Sequence, residues 1–242
     1  MKDRTLFTIP LTMSLLLLPL GCGDIIGPSE SCSGQPANTT VKFEDANLEA
    51  KIREFAEIGP GDDLTCGLLS GKTALLTGSA NIRSLGGIQN LTSLTFLSLS
   101  GNSITDISAL SGLTSLTELD LGNNSVTDIS PLSGLTSLET LFLGMNSITD
   151  ISALSGLTSL RWLELWYNSI TDISALSGLT KLGGPLRALT LSSNPGLSNI
   201  QPLLDNTGLG AGDTVVLNNT NVSCADVAAL EAKGVTVVSD CP

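Results

Sequence analysis

Leucines recur along the middle of the chain at a fixed spacing of 22 residues. Four consecutive copies run without a gap from Leu91 to Gly178, each with the pattern L-x-x-L-x-L-x-x-N-x-I, in which Val126 takes the place of isoleucine in the second copy. In the fourth copy, Leu160, Leu163 and Leu165 are separated by polar or aromatic residues, which predicts a short strand around 162–166 with its leucines facing inward. Because no single copy can bury its own leucines, the repetition predicts a stack of coils, a solenoid.

An asparagine follows each predicted strand, where the chain must turn. Its side-chain amide can bond backbone groups left unpaired at the bend, so we expect a stacked ladder of such residues. The ladder positions are Asn102, Asn124, Asn146, Asn168 and Asn194. The return leg of each copy is too short for a long α-helix and holds β-branched residues and Pro131, which predicts extended segments and 3₁₀ turns.

The return legs also carry an aspartate at every repeat. A cation ladder is one interpretation, but capping of each turn by its own carboxylate is favoured. These residues are Asp106, Asp128, Asp150 and Asp172.

The repeat pattern, with its tail T-D-I-S-A-L-S-G-L, resembles the short leucine-rich repeats of the internalin family and its bacterial relatives. The resemblance implies a leucine-rich-repeat solenoid, an α/β-type right-handed superhelix with a parallel β-sheet on the concave face. It further implies 3₁₀ or extended segments on the convex face and small caps at both ends. Internalin-like repeats are recognition scaffolds, so the resemblance also implies binding rather than catalysis, with the partner chosen by variable positions of the inner face.

The chain divides into five parts. Residues 1–21 are predicted to be a signal peptide and residues 22–40 a lipidated cysteine followed by a flexible tether, because the tether is rich in Gly, Ser and Pro. Residues 41–72 form an N-terminal cap of a strand and a helix begun by Asp45, and residues 73–206 hold the repeats. Residues 207–242 form a C-terminal cap with a helix begun by Ser223. Caps are required because the end coils would otherwise expose leucines and open strand edges.

The signal peptide has Lys2 and Arg4 before an apolar run, and it ends in Leu-Gly-Cys22. This ending resembles the bacterial lipoprotein box, in which the cysteine is acylated and becomes the mature N-terminus, although Pro19 occupies the usual leucine position. We therefore expect an exported protein that is lipid-anchored to a bacterial membrane through Cys22, in the periplasm or at the cell surface. Plain secretion with a free or paired Cys22 is the alternative.

Because five is an odd number, one cysteine of this exported chain cannot join a disulfide with the other four, and we assign Cys22 as that cysteine. The other four lie in two pairs that flank the repeats, and we expect Cys32 to bond Cys66 and Cys224 to bond Cys241. The other pairings would join opposite ends of an elongated solenoid, too far apart for a disulfide. A metal site is the competing interpretation, but the sequence has no histidine and no C-x-x-C, so we expect neither a metal nor a cofactor.

The candidate binding site follows from the strand positions that face away from the leucine core. Five of the seven aromatic residues after the signal peptide occupy such concave positions, together with acidic residues and a methionine. The candidate ligand-binding residues are Phe96, Glu118, Asp120, Phe142, Met145, Trp162, Glu164, Trp166 and Tyr167. Stabilisation of the sheet by neighbouring aromatic rings is the alternative explanation, but solvent-facing tryptophan and tyrosine are the residues that interfaces favour as anchors.

The chain is acidic, with a net charge of −12. Removal of residues 1–21 takes away Lys2, Arg4 and Asp3, a net charge of +1, and leaves −13. This charge disfavours nucleic acid and favours a neutral or basic partner, although it can also serve solubility alone.

The sequence therefore favours a non-enzymatic, lipid-anchored recognition protein of the bacterial cell envelope that binds a protein partner through its concave face. A glycan ligand and a purely structural envelope role are the alternatives. Glu118 and Asp120 could stand at the separation used by glycosidases, but an open concave surface does not exclude water and no nucleophile motif is present, so a hydrolase is strongly disfavoured.

Overall fold

A computed structural model describes residues 24–184 and 188–242. Within these ranges, eight strands form one parallel sheet in which each coil of the chain adds one strand beside the last. This is the predicted leucine-rich-repeat solenoid. Two strands of the N-terminal cap come first, β1 (Ile25–Ile26) and β2 (Thr40–Val41). The strands of the sheet are β3 (Ala74–Leu76), β4 (Phe96–Ser98), β5 (Glu118–Asp120), β6 (Thr140–Phe142), β7 (Trp162–Glu164), β8 (Leu189–Thr190), β9 (Thr214–Val216) and β10 (Thr236–Val238).

The register of the sheet repeats the sequence period. Leu97 pairs with Leu119, Leu119 with Leu141 and Leu141 with Leu163, so equivalent leucines stack in one buried column. Leu163 then pairs with Leu189, which is four residues later than the period requires. The extra residues include Pro185, Leu186 and Arg187, which lie outside the described residues.

Short 3₁₀ helices form the convex side, as predicted. They span Ile88–Asn90, Ser108–Leu110, Ser130–Leu132, Ser152–Gly156 and Ser174–Leu176. Pro131 lies in the first turn of its helix, where its missing N–H costs nothing. In the four regular copies, each return leg inserts two isoleucines, or a valine and an isoleucine, and a leucine into the core, as Ile148, Ile151 and Leu154 do, and all three are buried.

The asparagine ladder is present. The Asn146 side-chain oxygen accepts from the N–H of Val126 in the previous coil at 2.9 Å, and its amide donates to the carbonyls of Leu121 and Leu143, each at 3.0 Å. Asn102, Asn124, Asn168 and Asn194 make equivalent bonds. At the end of the ladder the Thr220 hydroxyl donates to the Leu217 carbonyl at 2.7 Å and so performs part of the same task. The ladder therefore joins successive coils at every turn.

The N-terminal cap contains β1 (Ile25–Ile26), β2 (Thr40–Val41), α1 (Ala46–Ala56) and α2 (Cys66–Leu69). Asp45 begins α1, where one of its oxygens accepts from the N–H groups of Asn47 and Leu48. Its other oxygen accepts from the N–H of Arg83 at 2.7 Å, which ties the cap to the first coil. Helix α1 ends at Ala56, before Glu57, which adopts a left-handed conformation.

The expected flexible tether is wrong for residues 24–40, which pack against the cap. Strand β1 pairs in parallel with β2, and Ile26 is buried. The Gln89 side chain donates to the carbonyls of Pro28 and Glu30, and Asn90 accepts from the N–H of Cys32 at 2.6 Å. Polar side chains of the first coil therefore hold a segment whose own composition contains little to bury. Cys22 lies outside the described residues.

The C-terminal cap follows α3 (Gln201–Asp205) and contains α4 (Cys224–Glu231) and β10. The Ser223 hydroxyl accepts from the N–H of Asp226 and caps α4. The Lys233 ammonium donates to the carbonyls of Leu203, Leu204 and Asn206 at 2.7 to 3.0 Å and so joins the region after α4 to the end of α3.

Both predicted disulfides are confirmed. Cys32 bonds Cys66 and Cys224 bonds Cys241, with Cα atoms 5.6 and 5.5 Å apart. Disulfides of this kind are typical of proteins outside the cytoplasm. In the described part of the chain no helix has the length and apolar character needed to cross a bilayer.

Candidate functional site

The parallel register arranges the outward-facing side chains of the sheet in straight rows. One row crosses the sheet through Phe96, Glu118, Thr140 and Trp162. A second row contains Ser98, Asp120, Phe142 and Glu164. Because adjacent strands lie about 4.8 Å apart, side chains contributed from positions 22 residues apart become immediate neighbours. These rows hold six of the nine candidate site residues, and Met145, Trp166 and Tyr167 follow the ends of the strands.

Three side chains on the fourth coil form one hydrogen-bonded unit, which we call the Trp–Glu–Trp unit. The indole N–H of Trp162 donates to Glu164 Oε1 at 3.1 Å, and that of Trp166 donates to Glu164 Oε2 at 3.2 Å. All three residues are half-buried. Because one carboxylate holds both indoles, the two large aromatic surfaces are fixed before any ligand arrives.

The neighbouring coil supports the Trp–Glu–Trp unit from one side. The Phe142 ring lies 6.2 Å from the Trp162 ring in an edge-to-face arrangement, with 73° between the ring planes. The Trp166 indole rests on Gly144, where a Cβ atom would come within 2.6 Å of Trp166 Cε2. A glycine at residue 144 is therefore required for the observed position of the indole.

Asp120 is oriented by two hydrogen bonds. Its Oδ1 accepts from the N–H of Gly122 at 3.0 Å, and its Oδ2 accepts from the Ser98 hydroxyl at 3.1 Å. Asp120 and Glu164 occupy the same row on either side of Phe142, so two carboxylates flank one aromatic ring. At two strand spacings, their backbones are about 10 Å apart.

These residues line a groove of about 480 Å³ on the concave face. Asp120, Phe142, Glu164 and Trp166 provide its charged and aromatic walls, and glycines provide much of its floor. The lining is completed by Ser79, Ser100, Gly101, Gly122, Asn123 and Gly144. The groove thus combines rigid apolar surface with negative charge, which suits recognition of a cationic group.

The structure separates the predicted site residues into three sets. Four of them line the groove, and Trp162 contacts it through Phe142 and Glu164. Phe96 and Glu118 lie in the neighbouring row, towards the start of the strands. Met145 and Tyr167 were expected on the strands, but β6 ends at Phe142 and β7 at Glu164. Both residues occupy left-handed turns after the strands, and Tyr167 is 62% exposed.

Sequence reasoning missed the residues that shape the groove floor. Gly122 and Gly144 are not among the predicted site residues, yet the absence of a side chain at Gly144 is what admits the Trp166 indole. Ser98 was likewise not singled out, although its hydroxyl orients Asp120. The 22-residue period could have identified these residues, because residues 22 positions apart are neighbours in the sheet.

The aspartates of the outer wall cap their own turns. Asp106, Asp128, Asp150 and Asp172 accept from the N–H groups of Ser108, Ser130, Ser152 and Ser174, each at 2.8 Å. Hydrogen bonds from the Ser130 N–H and hydroxyl lower the pKa of Asp128 below its ordinary value, and the bonds of Ser152 lower the pKa of Asp150. Within residues 24–184 and 188–242, no three His, Cys, Asp or Glu side chains are grouped to hold a metal ion.

The fold and the concave groove define a leucine-rich-repeat protein. A family model described as leucine-rich repeats in two copies matches residues 92–133 and 114–156. No curated protein gives a significant match. Among solved structures, an internalin (InlF) from Listeria monocytogenes is 34% identical with a TM-score of 0.73, and internalin C2 from the same organism is 30% identical with a TM-score of 0.62. The chain belongs to the internalin-like leucine-rich-repeat family.

The two internalin matches differ in extent. Each covers 81% of this chain, which corresponds to 56% of the InlF chain and 93% of the internalin C2 chain. A leucine-rich-repeat protein from Leptospira interrogans is 20% identical, with a TM-score of 0.51 over 71% of this chain, and shares the fold alone. The similarity to both internalins therefore extends over most of this chain.

Proposed function

We propose that this protein is a non-enzymatic recognition protein of the bacterial cell envelope that is lipid-anchored through Cys22 and binds a protein partner through its concave face. The observation that carries the proposal is the Trp–Glu–Trp unit. It places two large aromatic side chains, already rigid, beside a groove on a solvent-facing sheet. Rigid aromatic anchors lower the entropy lost on association, and Trp and Tyr dominate the binding energy of many interfaces.

A protein partner is favoured over a glycan by the hydrogen bonds of the indoles. Both indole N–H groups donate to Glu164, so neither is available to a sugar hydroxyl unless that bond breaks. What remains available is aromatic surface and carboxylate oxygen. These groups match apolar and basic side chains of a polypeptide.

The proposed anchor rests on the signal sequence and on Cys22 as the cysteine left over from the two disulfides. Incorporation of a labelled fatty acid into the full-length chain tests it. We expect the label in the parent chain and none in Cys22→Ser. A label that persists in Cys22→Ser contradicts the anchor.

The binding role is tested by capture from envelope extract with immobilised protein that starts at Gly23. The test variant carries Trp162→Ala, Trp166→Ala and Tyr167→Ala. The matched control is Ile25→Ala, which truncates an apolar side chain that is 64% exposed outside the concave sheet. Circular dichroism establishes that all forms are folded.

We expect the same protein band with the parent and with Ile25→Ala, and its loss with the triple variant. Retention by the triple variant, or equal loss in the control, contradicts binding through the concave aromatic residues. If the captured material is carbohydrate, the ligand is a glycan. No captured partner with any form supports the structural role instead.

A further inference from the structure

We infer that the groove receives an arginine side chain of the partner, held over Phe142 between the carboxylates of Asp120 and Glu164. This inference rests on the proposed role of the concave face in protein binding, and it names the chemical feature that the groove recognises.

The charge of the concave face is the first argument. Its strands carry Glu118, Asp120 and Glu164, and no lysine or arginine occurs within β3 to β10. The nearest described cation before β7 is Arg161, whose Nε lies 3.7 Å from Glu139 and so pairs away from the groove. The carboxylates of the groove thus have no basic partner on the described strands, and they attract one from another molecule.

The geometry of the row is the second argument. Asp120, Phe142 and Glu164 stand on adjacent strands in one register. A cation over the Phe142 ring would lie about 5 Å along the row from each carboxylate-bearing strand, since the strand spacing is about 4.8 Å. The ring provides a cation–π contact and the carboxylates provide ion pairs on both sides.

Arginine fits this arrangement better than lysine. Its planar guanidinium stacks on aromatic faces and donates hydrogen bonds in several directions within one plane, whereas an ammonium is a compact and strongly hydrated charge. The Trp166 indole, lying on Gly144, forms a flat wall beside the same groove. Both carboxylates are already oriented by hydrogen bonds, so they need little rearrangement to receive a guanidinium.

The test uses two tryptophan signals as reporters. The protein has Trp162 and Trp166 and no other tryptophan, so an ¹⁵N-labelled sample gives two indole N–H resonances, both from the site. The probes are a Gly-Ser peptide with two arginines and the same peptide with citrulline, which has the shape of arginine without its charge. Titrations are made with the protein from Gly23, with Asp120→Asn and with Asp172→Asn, a charge-matched control on the convex wall.

We expect the arginine peptide to shift both indole resonances in a saturable way and the citrulline peptide to leave them in place. Asp120→Asn should weaken binding about tenfold, the effect of losing one charge-assisted hydrogen bond. Asp172→Asn should bind as the parent does. Equal shifts with citrulline, or equal weakening by Asp172→Asn, overturn the inference.

The outcomes separate this inference from the proposed function. If the arginine peptide shifts neither resonance but the triple alanine variant still loses its captured protein, the concave face binds a partner by another feature and the arginine inference fails alone. If the triple variant keeps its partner, the proposed function fails through its own experiment.

Discussion

The Trp166 indole lies on the backbone of Gly144, at a distance that leaves no room for a side chain at residue 144. Gly144→Ala should therefore displace the indole and break its hydrogen bond to Glu164 while leaving the coil intact, because Gly144 is not in a left-handed conformation. We expect loss of partner capture and a changed Trp166 indole resonance, with the circular dichroism spectrum unchanged. Gly134→Ala is the matched control, since a Cβ there meets no atom within 4 Å. Normal capture by Gly144→Ala contradicts a role for the fixed indole.

The asparagine ladder predicts a large loss of stability from one small substitution. Asn146→Ala leaves the Val126 N–H and the carbonyls of Leu121 and Leu143 without their side-chain partner. We expect the free energy of unfolding to fall by about 3 kcal/mol, as for buried polar groups that lose hydrogen bonds. Urea denaturation monitored by circular dichroism measures the change. Asn221→Ala, at an exposed asparagine, should change it by less than about 0.5 kcal/mol, and an equal effect of the two substitutions would contradict the ladder's role.

Substitution of Tyr167 should raise the stability of the fold and weaken binding. Its φ of 54° is left-handed, a conformation that asparagine adopts more readily, as Asn123 does at the equivalent position with a φ of 53°. Because Tyr167 is 62% exposed, Tyr167→Asn removes strain and loses little packing. We expect the free energy of unfolding to rise by about 1 kcal/mol while partner capture weakens. A variant that is both more stable and fully active in capture would show that Tyr167 has no part in binding.

The outer-wall aspartates predict acid sensitivity. The pKa values of Asp128 and Asp150 are lowered in the folded state by hydrogen bonds from Ser130 and Ser152. A lowered pKa means that the ionised carboxylate stabilises the fold, so this contribution is complete above the unfolded pKa of about 4 and is lost as the pH falls through the lower folded value. Urea midpoints should be level from pH 7 to about 5 and fall below about 4.

Acid also protonates the other carboxylates and so relieves charge repulsion in this acidic protein. A variant is therefore needed to isolate the contribution of the two capping aspartates. An Asp128→Asn, Asp150→Asn double variant keeps an oxygen acceptor at each turn but does not titrate. We expect its midpoint to fall less between pH 5 and 3 than that of the parent. Identical pH profiles would mean that these two carboxylates do not contribute.

The leucine core of this protein was predictable because the 22-residue repeat is regular. A leucine such as Leu141 can occupy a single position in the coil, and the same spacing places the Asn146 amide at the turn in every copy. The disulfide pairs followed from the same regularity, since a solenoid separates its ends. Low apolar content gave no warning that Ile26 would be buried, because the partners that hold its segment are polar groups of Gln89 and Asn90, distant in the sequence.

The sequence predicted where the groove lies but not how its side chains contact one another. Alternation placed Phe142 and Trp162 on the concave side, which the rows of the sheet reproduce, whereas Trp166 lines the groove from beyond the end of β7. The sharing of Glu164 between two indoles depends on side-chain rotamers, and the fit of Trp166 on Gly144 depends on a neighbour 22 residues away in the sequence. Neither relationship is expressed in hydrophobic periodicity, and Met145 and Tyr167 were misplaced because strand ends are set by local backbone conformation.

The docked segment before β2 limits how far the proposed lipid could stand from the folded protein. Ordered pairing begins at Ile25, and only Gly23 and Asp24 separate it from Cys22, so an anchor there reaches about 10 Å beyond the cap at full extension. The groove on β5 to β7 lies about 10 to 20 Å along the sheet from β3. Without a long linker, the groove would lie close to the bilayer. Partners that rest on the same membrane would then be within reach, while those across a wide gap would not.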